Sequence, residues 1–177
     1  MVASDPVVIL EPNSLYVATE TIMADGFHWA IFITDAQGIA TRHQWAENLK
    51  RSSEPEKYLM DVVDPVTTYM NNRCMLGHFK IMGYTPPADS KVVHDICRTA
   101  FPTSFATWKE NRKHKMTYRT WILKVLGSLQ DIGVISRSDL VEGVEGIITS
   151  QSRALETRLS VAEFDVSESY VSVRVIV

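Results

Sequence analysis

Cysteine is scarce in this sequence: Cys74 and Cys97 are the only two in 177 residues. That excludes the dense disulfide framework of small secreted domains and leaves reduced thiols in a cytoplasmic protein as the simpler expectation. Long hydrophobic runs are missing too. No apolar stretch comes near the roughly 20 residues needed to cross a bilayer, so no integral membrane association is expected. The opening residues, MVASDPVVILEPNSLY, lack a basic stretch followed by an apolar run of about 7–15 residues, the pattern of a secretory signal. Net charge is small: 18 Lys and Arg against 21 Asp and Glu give a formal −3, which supplies no general attraction to nucleic acid or anionic lipid. Phosphate loops of the type Gly-x-x-x-x-Gly-Lys and dinucleotide turns of the type Gly-x-Gly-x-x-Gly are absent, and no cofactor is implied. His28, His43, His78, His94 and His114 form no His-x-x-x-His pair, and there is no Cys-x-x-Cys knuckle, so no metal site is expected.

What the chain does have is enough apolar material for a core, 45% of residues, at a length natural for one domain spanning 1–177. Residues 1–85 read as β-rich. Val7–Leu10, Leu15–Glu20, His28–Ile33 and Ile39–Trp45 are short β-branched or aromatic runs, separated by Pro12-Asn13, Asp25-Gly26 and Asp35-Ala36-Gln37-Gly38. A polar interruption over Asn48–Glu56 precedes strand-like segments at Tyr58–Val63 and Arg73–Tyr84, the latter stopped by Thr85-Pro86-Pro87. The period then changes. Val92, Val93, Ile96, Cys97 and Ala100 recur at helical spacing with Ser90 placed as N-cap, so 89–160 reads as mainly helical. Trp121, Ile122, Val125, Leu126 and Leu129 make an apolar stripe that Gly133 stops. A further helix is expected after Ser136 or Ser138, and a strand over 169–177 closes an α+β fold: an antiparallel sheet with helices packed against it.

Chemistry enters with the hairpin. A four-residue turn containing Gly38 between two strand-like runs predicts that 28–33 and 39–45 pair antiparallel, bringing His28 and His43 onto neighbouring strands. Two close imidazoles provide a base and a group that orients it. The same residues also fit a plainer reading, because Arg42 and Gln44 flank His43 as they would on an exposed edge.

The run His28-Trp29-Ala30-Ile31-Phe32-Ile33, a short turn and then His43 resembles the histidine-bearing hairpin of circularly permuted papain-like proteins, the branch that includes lecithin:retinol acyltransferase. The resemblance implies a permuted papain-like architecture with a nucleophilic cysteine at the start of a later helix, where the positive helix end lowers the thiol pKa. Here the matching stretch is Thr117-Tyr118-Arg119-Thr120-Trp121, 90 residues beyond His28, and Tyr118 stands where the family has cysteine. A phenol with a pKa near 10 is a poor acyl acceptor, so cysteine-based acyl transfer is not carried over. Acid–base chemistry remains: His28 as base, His43 as its supporting group and Tyr118 as acid, with Thr117 or Thr120 as alternatives to Tyr118. Trp29, Trp45, Arg119 and Trp121 are expected to line the substrate.

The leading expectation is therefore a small, cofactor-independent enzyme that isomerises, cyclises or non-covalently hydrolyses a small organic substrate. A rival is an inactive papain-like module binding a ligand or protein, with Tyr118 filling the pocket. A third is a cysteine-dependent hydrolase or acyltransferase acting through Cys97, although a helical cysteine on an apolar face ordinarily behaves as a small hydrophobe. Cys74, inside an alternating strand, is the weaker thiol candidate. Lys109, Arg112, Lys113, His114, Lys115 and Arg119 cluster beside the proposed site, where they read as a solvated loop or as a lure for a carboxylate or phosphate.

Overall fold

A computed structural model describes residues 10–22, 25–47, 54–64, 75–161 and 173–176. Among the described residues six strands form one sheet: β1 Leu15–Thr21, β2 Phe27–Thr34, β3 Ala40–Ala46, β4 Lys57–Val63, β5 Met75–Ile81 and β6 Val173–Ile176. Their order is β4-β3-β2-β1-β5-β6, antiparallel throughout except that β6 runs parallel to β5. Four helices follow β5 in the chain: α1 Lys91–Thr99, α2 Trp108–Lys113, α3 Tyr118–Asp131 and α4 Leu140–Val161. The fold is α+β.

Local chemistry explains the boundaries. Between β2 and β3, the Asp35 carboxylate accepts from the backbone of Gln37 at 2.9 Å and Ile39 at 2.8 Å, and Gly38 takes φ +80, a conformation open to glycine at little steric cost. The α3 start is a capping box: Thr117 Oγ1 accepts from Thr120 N while Thr120 Oγ1 accepts from Thr117 N, both at 3.0 Å. Gly133, at φ +76, turns the chain just after this helix. Ser90 differs from expectation. Its backbone is already helical and its side chain caps nothing; Asp89, one residue earlier, accepts from Lys91 N instead. The strand expected over Arg73–Tyr84 ends at Ile81, because Met82-Gly83 turns and Tyr84 bridges to Ile135. The strand expected at Val7–Leu10 lies outside the described residues except for Leu10, which is buried but not in a strand. Arg73 and Cys74 also lie outside them.

One face of the sheet carries the main core. Val17, Trp29, Ile31, Trp45 and Phe79 meet the α3 stripe Trp121, Ile122, Val125, Leu126 and Leu129. All five stripe residues are fully buried, and each contributes about 1.5–3 kcal/mol by leaving water. α4 lies close against the same face: Thr19 Oγ1 and Ser152 Oγ share a buried hydrogen bond of 2.8 Å, and a Cβ added to Gly77 would sit 3.1 Å from Leu155. The other face has a smaller cluster of Tyr16, Ala18, Ala30, Phe32, Ala40 and Met75. No described helix is long and apolar enough to cross a membrane.

Candidate functional site

The expected hairpin forms, but its two histidines do not meet. Register pairs His43 with Ile31, so His43 faces the helices. His28 lies three residues before Ile31 on a strand whose pairing with β1 is unbroken, and alternation puts it on the opposite face. His43 is therefore not the supporting group of His28. The partner of His28 is instead the neighbouring Gln44, whose Oε1 lies 3.0 Å from His28 Nε2. A carbonyl oxygen only accepts, so Nε2 carries a hydrogen, and in the neutral imidazole Nδ1 then holds the lone pair. Among the described residues Nδ1 has no hydrogen-bond partner.

Tyr118 does come to His28. The β2–β3 ladder runs only from Ile31↔His43 to Thr34↔Ala40, so His28 lies beyond it, and there the first residue of α3 meets it. The rings of His28 and Tyr118 meet edge to face with centroids 5.0 Å apart. The Tyr118 hydroxyl makes no hydrogen bond among the described residues, and burial pushes its pKa up, with Arg112 and Arg119 opposing the shift. At neutral pH it is a phenol with a hydrogen to donate. His28, Gln44, Trp45, Trp108, Arg112 and Tyr118 line a cleft of about 520 Å³, within the range of small-molecule sites.

Glu56 fixes the far wall. It is 3% exposed and accepts from Asn111 Nδ2 at 2.8 Å and from both terminal nitrogens of Arg112, at 3.0 and 2.7 Å. Arg112 also donates to the Met116 carbonyl and lies over the Tyr118 ring, 5.4 Å from its centroid. This buried fork ties α2 and the chain before α3 to the start of β4. Read along the sequence, Glu56 belonged to a polar interruption; only the fold gives it partners.

The remaining expected residues sort differently. Trp121 is fully buried and donates Nε1–H to the Cys97 carbonyl at 3.1 Å, so it is core, not cleft wall. Trp29, at 2% exposed, is also core, touching only a smaller cavity of about 220 Å³. Trp45 is buried at the back of the cleft with its Nε1 unpartnered among the described residues. Arg119 pairs with Glu145 at 3.1 Å. Thr117 and Thr120 are occupied by the capping box. Within the basic cluster, Arg112 and Arg119 are in ion pairs and His114 stacks on Phe105 with centroids 4.1 Å apart. Cys97 is fully buried, and burial pushes its thiol up to about 12, which keeps it protonated and unreactive.

His43 belongs to a second network that the sequence did not reveal. Its Nδ1 lies 2.8 Å from Tyr58 Oη, which lies 3.2 Å from His94 Nδ1 on α1. Burial lowers His43 to about 4, helped by the charge of His94 and partly offset by Asp61, so it is neutral at physiological pH. Burial also raises Tyr58. Strand period could have flagged Tyr58, since it pairs with Trp45 in the β3–β4 ladder and so shares the face of His43. Nothing along the chain places His94 beside them. Among the described residues no three His, Cys, Asp or Glu side chains gather to hold a metal ion. No protein-family model, curated protein or solved structure matches this chain.

Proposed function

We propose that the protein is a small enzyme doing cofactor-independent acid–base chemistry on a small organic substrate, in a cleft like that of permuted papain-like proteins. The observation that carries the reading is an imidazole with a free ring nitrogen, His28, against an unbonded phenol, Tyr118, at the N-terminal end of α3. In the proposed reaction His28 Nδ1 takes a proton from the substrate, while Gln44 holds the ring through Nε2 in the tautomer that leaves Nδ1 basic. Tyr118 donates its hydroxyl hydrogen to a substrate oxygen on which charge develops. Proton removal at one atom and donation at another is the common core of isomerisation, cyclisation and non-covalent hydrolysis. The departure from the resembling family is the missing thiol, so no covalent acyl intermediate is part of the reading.

One observation favours a binding module instead: the Tyr118 ring packs between His28 and Arg112, in the space a small nucleophile would leave open. Metabolite profiling with purified protein separates the two. Under the catalytic reading a metabolite is consumed and a product of related mass appears, His28→Ala lowers the rate at least about 100-fold, and Tyr118→Phe lowers it at least about tenfold. Turnover surviving both substitutions refutes the site. A metabolite retained without conversion, and held more tightly by Tyr118→Ala, supports binding alone.

A further inference from the structure

We propose that the cavity of about 640 Å³ between the β2–β3 turn, β4 and α1 is a second ligand site, for a small, largely apolar molecule carrying a paired hydrogen-bond acceptor and donor such as a carboxamide. It is separate from the His28 cleft, with which it shares no lining residue.

Hydrogen-bond polarity carries the inference. His94 Nδ1 lies 3.3 Å from the Met60 sulfur as well as 3.2 Å from Tyr58 Oη. A thioether sulfur has no hydrogen to give, so His94 Nδ1 is the donor. Tyr58 Oη then accepts from His94, and its own single hydrogen must go to His43 Nδ1 at 2.8 Å. A neutral His43 with a lone pair on Nδ1 carries its hydrogen on Nε2. The chain thus has one direction, from His94 through Tyr58 to His43. With His94 in its neutral form, the two ends are an acceptor nitrogen, His94 Nε2, and an N–H donor, His43 Nε2. Neither end has a hydrogen-bond partner among the described residues, although His43 is only 5% exposed. Both histidines line the cavity.

The rest of the lining fixes the ligand class. Ile33, Met60, Pro86 and Val93 give apolar walls, and Lys91 at the cavity is already paired with Asp95. The Lys91 charge is thereby already committed, and a neutral His43 supplies none. Asp35, Thr41, Tyr84 and Ser90 also line the cavity, and beside its apolar walls the two histidines offer one donor and one acceptor, the complement of a primary amide: carbonyl to His43 Nε2–H, amide N–H to His94 Nε2. Such sites exclude molecules lacking the polar pair, because buried polar groups are then left without partners.

The test uses benzamide, with toluene as its apolar counterpart, followed by 1H–15N spectra of the imidazole nitrogens of the full chain. Benzamide is expected to shift the His43 and His94 ring nitrogens and leave His28 unmoved, and to bind at least about tenfold tighter than toluene. His94→Gln, on the partly exposed side of α1, and Tyr58→Phe, which keeps the ring, are each expected to weaken benzamide about fivefold to tenfold. Equal binding of benzamide and toluene, movement of His28 alone, or no shift up to the solubility limit of benzamide would each overturn the proposal. If Tyr58→Phe does not fold, His94→Gln decides the matter by itself.

Discussion

His78 lies in β5, opposite Ala18, with its ring edge-on to Phe32 at 4.9 Å. It is fully buried, and among the described residues neither ring nitrogen has a partner. Burial therefore lowers its pKa from 6.5 to about 4. Because the folded value lies below the unfolded one, the unfolded chain binds the extra proton first. The associated stability is complete above pH 6.5 and is lost as pH falls toward 4. At about 1.4 kcal/mol per pH unit, the loss is on the order of 3 kcal/mol. Replacing the ring by an apolar side chain of similar size removes both penalties, so His78→Leu is expected to stabilise the protein by about 1–3 kcal/mol at pH 7.5. Its advantage should then widen as pH is lowered. Urea denaturation at a series of pH values from 7.5 to 4.5 reads this through the midpoint, with the slope checked for constancy. A His78→Leu variant less stable than the parent at pH 7.5, or an advantage that does not grow between pH 6.5 and 4.5, refutes the reasoning.

Other expectations follow from the same geometry. Arg112→Met leaves Glu56 buried with only Asn111 donating to it and is expected to destabilise by about 2–3 kcal/mol in the same assay, a loss well beyond that of an exposed ion pair. Thr117→Ala removes the α3 cap and should lower stability by about 1 kcal/mol, seen as a shift of the urea midpoint. Iodoacetamide at neutral pH should leave Cys97 unmodified in the folded protein and label it after unfolding, as read by peptide mass spectrometry; rapid labelling of the folded chain would revive a thiol enzyme.

Periodicity served well where one side chain pattern answers one local question. The strands from β1 to β4 were legible as β-branched and aromatic runs between turn signals, and the α3 stripe because helical spacing reports which face is buried. The turn at Asp35–Gly38 was legible because its residues supply their own hydrogen bonds and positive φ. The same period held the reason why His28 and His43 separate: an odd spacing from the paired Ile31 sends His28 to the opposite face, but only once the register is known. Neighbouring strands do not by themselves bring side chains together.

By itself, then, the sequence determined an α+β chain with an antiparallel hairpin and a helix beginning at Tyr118. Tertiary structure decided the partners: Gln44 beside His28, Arg112 and Asn111 around Glu56, and Tyr58 with His94 beside His43. It also decided that β6 joins the sheet parallel to β5. The physical reason is one of range. Helical and strand periods are set by backbone geometry within a few residues, whereas a hydrogen bond between residues 36 or 56 positions apart depends on how the elements carrying them pack.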